Sequence, residues 1–449
     1  MTTLIENARI FVSGRLVRAN IVIESGKIES VGRRRVSGFD ERIDAREKFV
    51  LPGLVDAHAH LHDPHFTNRE DFTCGTAAAA AGGVTTVIEM VLSTPVDSVE
   101  RVRTKIRLGR KKSLIDFALH AGMMNLENAV NIGKITEIGV RSFKTFTCKP
   151  YYVSDDTLRC LMRETAAHSS ILNVHAEDEE LANQNMRKLM LERRNDPAAH
   201  LEWKPNAVEE RAVKKVIRFA YDLKARVHIS HLSTAEAVGL VRKAKSGRVK
   251  ITVETCPHYL TLTRKDMRKL GPYLKMNPSL KTAHDLHMLW QGLRDGTVDL
   301  VTSEHAPGER SEKEVGWRNI WKAWGGIPSI ETMLPVLLSE GVNKGQISMA
   351  RLQKVTCENP ARIFGLYPKK GTIRKGSDAD LVILDLKAER KVRGSDLHYK
   401  VGWTPYEGWR LRGWPKTTIR RGSVIFEDGQ INAKPGEAKF LPMVMRGVG

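Results

Sequence analysis

Short apolar runs recur along the middle of the chain, and longer stretches of mixed polarity separate them. Such runs predict buried strands, and the stretches between them are long enough for helices. The predicted strands are residues 51–57, 84–90, 116–121, 140–146, 171–175, 227–231, 250–254 and 298–304. Eight strands that alternate with helices are typical of an α/β fold, the (β/α)8 barrel of the TIM type, whose chemistry gathers at the C-terminal ends of the strands.

The two ends of the chain have a different pattern. Residues 19–24, 380–385 and 417–426 are short apolar or alternating segments that predict further β-strands. Because 449 residues exceed the usual size of one domain, an accessory domain is expected beside the barrel. We therefore predict a barrel domain of residues 51–365 and a small β-sandwich domain built from both chain ends, residues 1–50 and 366–449.

Candidate metal ligands follow the predicted strands. His58 and His60 are one residue apart at the end of the first strand, so their side chains point to the same side, and imidazole is a common zinc ligand. Further titratable groups stand at the ends of four other strands: Lys144, His175, His231 and Glu304. A lone histidine at such a position usually only packs, but groups from five strands of one barrel predict a metal site.

Local motifs at these positions carry a family resemblance. They are PGLVDAHAH (52–60), AAGGVTT (80–86), FK (143–144), VHAE (174–177), HLS (231–233), ETCPHY (254–259), SEHAP (303–307) and NPA (359–361). With them the chain resembles, nearly end to end, the cyclic amidohydrolases of the amidohydrolase superfamily. This group contains dihydropyrimidinase (hydantoinase), allantoinase and dihydroorotase. The resemblance implies an enzyme that opens the amide bond of a cyclic amide.

The resemblance also implies two divalent metal ions, with zinc expected. His58 and His60 would hold the more buried ion, and His175 and His231 the more exposed one. Lys144, carboxylated on its N6 amine, would bridge both, because carboxylation turns a cation into an anionic ligand. A hydroxide that bridges the metals would attack the ring, and Glu304 would bind the buried ion and carry the proton to the leaving nitrogen.

Glu304 departs from the family, which generally has aspartate at this position. Glutamate keeps the acid chemistry but reaches one methylene further, so we expect either a displaced metal or slower turnover. The alternative is a non-catalytic paralogue that keeps the fold. Six groups suited to a metal site favour the enzyme.

The identity of the ring depends on the surrounding residues. Dihydroorotases have the motif His-x-His-Leu-Arg, in which the arginine holds the substrate carboxylate. Here His62, a weaker partner, stands at the arginine position, so dihydroorotase is kept as an alternative. Residues 254–259 and 319–328 look most like allantoinase, while the tyrosine typical of hydantoinases is replaced by Lys149. We predict an allantoin-like, hydantoin or dihydropyrimidine ring, bound through Asn277, His62 and Ser279.

Composition narrows the partners and the location. The formal net charge is +20, but the basic residues, including the clusters 33–35 and 110–112, are scattered without a nucleic-acid-binding motif. The five cysteines show no paired spacing, and neither a signal peptide nor a membrane span is predicted. We therefore expect a cytoplasmic protein that binds neither nucleic acid nor membrane, and the resemblance implies a homo-oligomer, a tetramer or dimer.

Overall fold

The computed structural model describes residues 2–12, 14–33, 38–92 and 94–445. Arg34 and Arg35 of the first basic cluster lie outside this part of the chain. The N-terminal strands are β1 (Thr2–Val12), β2 (Arg15–Glu24), β3 (Lys27–Gly32), β4 (Glu41–Asp44) and β5 (Phe49–Pro52). β1 is antiparallel to β2 and parallel to β4, and it also touches β5.

The barrel follows directly. Its strands are β6 (Leu54–Ala59), β7 (Val84–Glu89), β8 (Asp116–Leu119), β9 (Ala121–Gly122), β10 (Ser142–Phe146), β11 (Ile171–His175), β12 (Val227–Ile229), β13 (Ile251–Thr255) and β14 (Leu300–Val301). β8 and β9 are two parts of the third barrel strand, because β8 pairs with β7 and β9 pairs with β10. The His60 amide donates to the His305 carbonyl (2.8 Å), which closes the ring between the eighth position and the first.

The first predicted barrel strand begins too early. Residues 51 and 52 belong to β5, and the chain enters the barrel only after Gly53. A Cβ atom at Gly53 would lie 2.1 Å from the Thr85 hydroxyl oxygen, so only glycine lets the backbone pass at this point. The eighth strand is also shorter than predicted, since β14 covers only Leu300–Val301.

Helices separate the strands as predicted. In chain order they are α1 (Phe72–Ala81), α2 (Val99–Lys112), α3 (Ile132–Glu137), α4 (Asp155–Ala167), α5 (Glu179–Leu191), α6 (Ala199–Trp203), α7 (Asn206–Asp222) and α8 (Ala235–Ser246). They continue with α9 (Pro257–Thr261), α10 (Met267–Leu270), α11 (Ala283–Asp295), α12 (Arg310–Glu314), α13 (Met333–Val336), α14 (Met349–Gln353) and α15 (Asn359–Ile363). Six longer helices begin at a side chain that caps a free backbone N–H, namely Asp71, Ser98, Ser154, Asp178, Thr234 and Thr282.

The C-terminal part returns to the N-terminal strands. It adds β15 (Leu381–Lys391), β16 (Arg410–Arg420), β17 (Ser423–Glu427) and β18 (Gln430–Ile431). The sheet order is β18-β17-β16-β15-β5-β1-β2-β3, so β15 joins the two chain ends by pairing with β5. The predicted fold class, a TIM-type barrel with a β-sandwich from both chain ends, is confirmed. The domain boundaries at 50/51 and 365/366 stay a prediction.

A buried lysine links the sheet to the barrel. The Lys370 ammonium lies 2.7 Å from an Asp116 carboxylate oxygen at the start of β8, and 2.6 Å from one of Asp380 next to β15. Asp378 is a third neighbour at 3.1 Å.

All five cysteines are free thiols. Within the described ranges, every helix is too short or too polar to traverse a lipid bilayer.

Candidate metal centre

A pocket opens at the C-terminal ends of the barrel strands. Its volume, including the open mouth, is about 530 Å³, which is within the range of small-molecule sites. The six side chains that the sequence proposes as metal ligands all line it: His58, His60, Lys144, His175, His231 and Glu304. The barrel therefore brings together residues that are up to 246 positions apart in the chain (304 − 58).

The first two histidines are held with their Nε2 atoms towards Glu304. The Nε2 atom of His58 lies 2.6 Å from Oε2 of Glu304, and that of His60 lies 3.5 Å from Oε1. On the other side of the rings, His60 Nδ1 donates to the Met90 carbonyl (2.8 Å) and His58 Nδ1 is hydrogen-bonded to Glu254. Metal-binding histidines usually have this arrangement, with one nitrogen fixed by an acceptor and the other left for the ion.

The charges of this cluster favour a bound cation. Burial lowers the pKa of His58, but the carboxylates of Glu304 and Glu254 have the larger, opposite effect and raise the pKa to about 9. Burial raises the pKa of Glu304, and His58 and His60 lower it well below its usual range. Ligand atoms of His58, His60 and Glu304 all lie within 4.8 Å of one another. Two imidazoles and the Glu304 carboxylate are a donor set that fits a divalent metal ion, and Glu254 adds a second negative charge behind His58.

Lys144 is buried on β10 beside this cluster. Its ammonium donates to the Ser230 hydroxyl (2.6 Å), and among the described residues it forms no ion pair. Burial lowers its pKa to about 8, against the opposing effect of Glu304 and Glu254. A buried amine of this kind is readily deprotonated, which is the state needed for carboxylation by CO2.

His175 and His231 form the other side of the site. Their ring centroids are 4.5 Å apart. His175 Nε2 lies 2.6 Å from an oxygen of Glu177, and the same oxygen binds the Lys204 ammonium. His231 Nδ1 has no hydrogen-bond partner among the described residues. These contacts leave His175 Nδ1 and both nitrogens of His231 for another ligand.

Two of the candidate ligands have strained backbones. The φ angles are 39° at His231 and 49° at Glu304, values that side-chain-bearing residues rarely adopt. Strain of this kind persists where the surrounding structure holds it, and it is concentrated at functional sites. His231 lies two residues after the end of β12 and Glu304 three residues after the end of β14, and both side chains line the pocket at the mouth.

The predicted substrate-binding residues lie at different depths. Asn277 lines the pocket, and its Oδ1 atom has no hydrogen-bond partner among the described residues. Ser279 lies behind it, with its hydroxyl donating to the Lys204 carbonyl (2.9 Å). His62 is buried next to His60 and Trp324, at ring-centroid distances of 6.3 and 6.0 Å. Neither Ser279 nor His62 is a pocket-lining residue.

Sequence reasoning missed the residues that support the ligands. Glu254, Glu177 and Lys204 are all buried, and they fix His58 and His175 from behind. Glu254 and Glu177 both occur in motifs that the sequence analysis quoted, so a carboxylate at the end of a barrel strand was the available signal. Lys204, in the loop between α6 and α7, gave no such signal.

Comparisons with known proteins agree with this geometry. The Amidohydrolase family matches residues 49–425 of the chain. Among curated relatives, a dihydroorotase of Methanosarcina acetivorans is 37% identical, covering 97% of this chain and 94% of the relative. An allantoinase of Rubrobacter xylanophilus is 34% identical over 99% and 98% of the two chains. A solved L-hydantoinase (dihydropyrimidinase) from Arthrobacter aurescens superposes with a TM-score of 0.95 at 33% identity, covering 98% of this chain and 99% of the other.

Proposed function

The chain belongs to the amidohydrolase family, and on that premise we propose that it is a metal-dependent hydrolase that opens the amide bond of a small cyclic amide. The observation that carries the proposal is the convergence of four histidines, Lys144 and Glu304 on one pocket. Relatives named dihydroorotase, L-hydantoinase and allantoinase support the cyclic amide as substrate class.

The residues present fit a centre of two metal ions, which we propose to be zinc. His58, His60 and Glu304 would hold one ion, and His175 with His231 would hold the other. Lys144, as the carbamate formed when its neutral amine adds CO2 and releases a proton, would join them. When bound, the ions supply positive charge that polarises the amide carbonyl and acidifies water.

Glu304 is the proposed general acid and base. Its two carboxylate oxygens face the Nε2 atoms of His58 and His60, at the edge of the open pocket. Glu304 accepts a proton from the attacking water and donates it to the ring nitrogen as the C–N bond breaks. Although glutamate is one methylene longer than the family's aspartate, both of its oxygens lie beside the histidine pair. This placement supports an active enzyme over a non-catalytic paralogue.

The pocket favours a ring without a carboxylate. Among the described residues, its lining contains no arginine, and Leu92, Phe146, Tyr151 and Ala306 contribute apolar or aromatic surface. Burial lowers the pKa of His62 well below its usual range, so this ring is a neutral group and a poor partner for an anion. We propose an allantoin-like, hydantoin or dihydropyrimidine ring, with Asn277 as a direct contact and His62 and Ser279 behind it.

One observation favours dihydroorotate as a second candidate. Lys149 stands at the pocket mouth with a largely exposed side chain, and Glu179 is 3.4 Å from its ammonium. The Lys149 ammonium would pair with a carboxylate on the ring, but it lacks the bidentate geometry of arginine.

The deciding experiment is a ring-opening assay on protein reconstituted with zinc and bicarbonate. Allantoin, hydantoin, dihydrouracil and dihydroorotate are the four substrates, and bound metal is counted in the same preparation. The matched variant is Glu304→Gln, which keeps the shape but removes the proton acceptor, and we expect its kcat to fall by a factor of about 10² to 10⁴. Two bound metals without activity on any ring would contradict the substrate class, and an unchanged kcat in the variant would contradict the role of Glu304.

We also propose a homo-oligomer, a dimer or tetramer, and a cytoplasmic location. Both come from the family resemblance. Light scattering of the purified protein measures the first, and fractionation of cells that express the chain measures the second.

A further inference from the structure

Two backbone segments, residues 275–279 and 320–326, each contribute one residue to the pocket lining, and we call these two segments the pocket wall. Asn277 from the first segment and Gly325 from the second both line the pocket. They lie close together, because a Cβ atom at Gly325 would be 2.9 Å from Asn277 Nδ2. Neither segment contains a β-strand, and the regular structure in them is a short 3₁₀ turn at Ile320–Lys322. Contacts other than a β-ladder must therefore fix the wall.

Lys275 fixes one segment to the other. Its side chain is buried, and its ammonium donates to three carbonyls: those of Ile320 (2.7 Å), Trp321 (3.2 Å) and Ala323 (2.7 Å). An ammonium has three N–H bonds, so this set of acceptors uses all of them. Lys275 thereby orients the second segment from a position two residues before Asn277.

Lys313 does the same from α12. It is fully buried, and its ammonium donates to the carbonyls of Lys275 (2.9 Å), Trp324 (2.8 Å) and Gly326 (2.9 Å). One acceptor lies in the first segment and two in the second. The two lysines therefore form a continuous connection from α12 through both parts of the pocket wall.

Two further side chains complete the pattern around Asn277. His200 Nε2 donates to the Met276 carbonyl (2.8 Å), and the Tyr259 hydroxyl donates to the Pro278 carbonyl (2.6 Å). The carbonyls that flank Asn277, those of Met276 and Pro278, thus accept hydrogen bonds from buried side chains. The carbonyls that flank Gly325, those of Trp324 and Gly326, accept them from Lys313. In the described part of the chain, the carbonyls of Asn277 and Gly325 themselves have no hydrogen-bond partner.

We propose that Lys275 and Lys313 are positioning residues for ring binding: they hold the neighbouring carbonyls of the pocket wall away from the substrate and leave the peptide groups of Asn277 and Gly325 for it. A cyclic amide carries an adjacent N–H and C=O, which match a pair of peptide groups. The inference rests on the proposed function, because it assumes such a ring as substrate. Neither lysine touches the candidate metal ligands, so their effect falls on substrate binding.

The test compares Lys313→Met and Lys275→Met with Arg351→Met. Methionine keeps most of the side-chain length and removes the three donors. Arg351 is the matched control, because it also donates to backbone carbonyls, those of Leu293 and Val298, but does not line the pocket. The readouts are KM and kcat on the ring that the wild type opens, bound metal, and hydrogen–deuterium exchange of peptides that cover 275–279 and 320–326.

We expect each lysine variant to raise KM about tenfold or more with kcat within about threefold, since ground-state and transition-state binding weaken together. Both metals stay bound, and exchange becomes faster in the two wall peptides. Arg351→Met should change neither KM nor exchange there. In Lys313→Ala, added propylammonium should bring the raised KM back towards the wild-type value, whereas added propanol should not.

Several outcomes would overturn the inference. These are an unchanged KM in folded lysine variants, an equal rise in Arg351→Met, or rescue by propanol. If a methionine variant does not fold, Lys313→Arg keeps the charge but cannot direct three N–H bonds from one atom, and an unchanged KM there counts against the inference. If the wild type opens no ring, the proposed function fails. Independently of activity, hydrogen exchange in the wall peptides that is as slow in both lysine variants as in the wild type would contradict the positioning role.

Discussion

Glu254 on β13 is hydrogen-bonded to the Nδ1 atom of His58 on β6. Its second carboxylate oxygen lies 3.2 Å from Nε2 of His228, and His58 lowers its pKa far below the usual range despite burial. One buried carboxylate thus fixes the ring of a candidate metal ligand from behind. The relationship gives His58 both an orientation and a more basic Nε2 atom.

Replacing this carboxylate should weaken metal binding. In Glu254→Gln the charge beside His58 is lost while the shape is kept, so we expect metal affinity to fall by a factor of about 10 to 100. Metal retained after graded chelator treatment, measured by mass spectrometry, checks the change. Glu358→Gln, in a surface pair with Arg362, is the control and should behave like the wild type. Equal metal retention in both variants would show that Glu254 only packs.

Lys144→Ala should remove the link between the two candidate metal positions. The variant loses the buried amine that contacts Ser230 and leaves no group on β10 to bridge the histidine pairs. We expect activity to fall by a factor of about 10³ or more, since the proposed ligand of both ions is lost. Bound metal should fall from two ions per chain, and added bicarbonate should no longer raise activity. Turnover at the wild-type level would contradict a centre built on Lys144.

The barrel and the ligand positions could be predicted because each depends on a local pattern. Apolar runs mark the strands, and a histidine at the end of a run already has its place at the mouth. The errors occurred where a strand boundary depends on a contact from elsewhere. Gly53 breaks the first strand because it passes the Thr85 side chain, and Ser303 leaves the last strand to donate to Asp56.

The supporting lysines could not be predicted from the sequence, because nothing local distinguishes them. Lys204, Lys275 and Lys313 look like ordinary surface lysines among 72 basic residues. Their burial follows from packing of the loops above the barrel, and their partners are carbonyls or carboxylates far away in the chain. Only the folded structure shows which lysine is enclosed.

Lys204 should stabilise the fold in a pH-dependent way. Burial raises the pKa of Glu177, but Lys204 and His175 lower it well below its usual range. A carboxyl whose pKa is lower in the folded state stabilises the protein above its unfolded pKa of about 4.3, and this contribution disappears as pH falls towards the folded value. Lys204→Met leaves the carboxylate buried without its cation, so we expect a loss of about 3 to 5 kcal/mol at pH 7.

The difference in the free energy of unfolding between wild type and Lys204→Met should shrink on acidification. Without its cation, Glu177 becomes protonated at a higher pH in the variant than in the wild type. Urea unfolding at pH 7 and at lower pH values measures it. Lys188→Met, which removes an exposed pair with Glu192, serves as the control and should change stability little at either pH. A pH-independent difference would mean that Lys204 acts through packing and not through Glu177.

Lys370 should be the strongest single connection between the β-sandwich and the barrel. Its ammonium neutralises the buried carboxylates of Asp116, Asp378 and Asp380, and these acids raise its pKa despite burial. Lys370→Met leaves three buried acids with one cation fewer, so we expect the free energy of unfolding to fall by about 3 to 5 kcal/mol.

Lys375→Met is the matched control, because Lys375 is exposed and pairs with Glu29 on the surface. Its loss should cost less than about 1 kcal/mol. Urea unfolding followed by circular dichroism measures both variants at one pH. Because Lys370 joins β8 to the strand that pairs with β5, its loss should also speed hydrogen exchange at the start of both β8 and β15. Similar stabilities in the two variants would mean that apolar packing, and not the buried ion cluster, holds the sheet on the barrel.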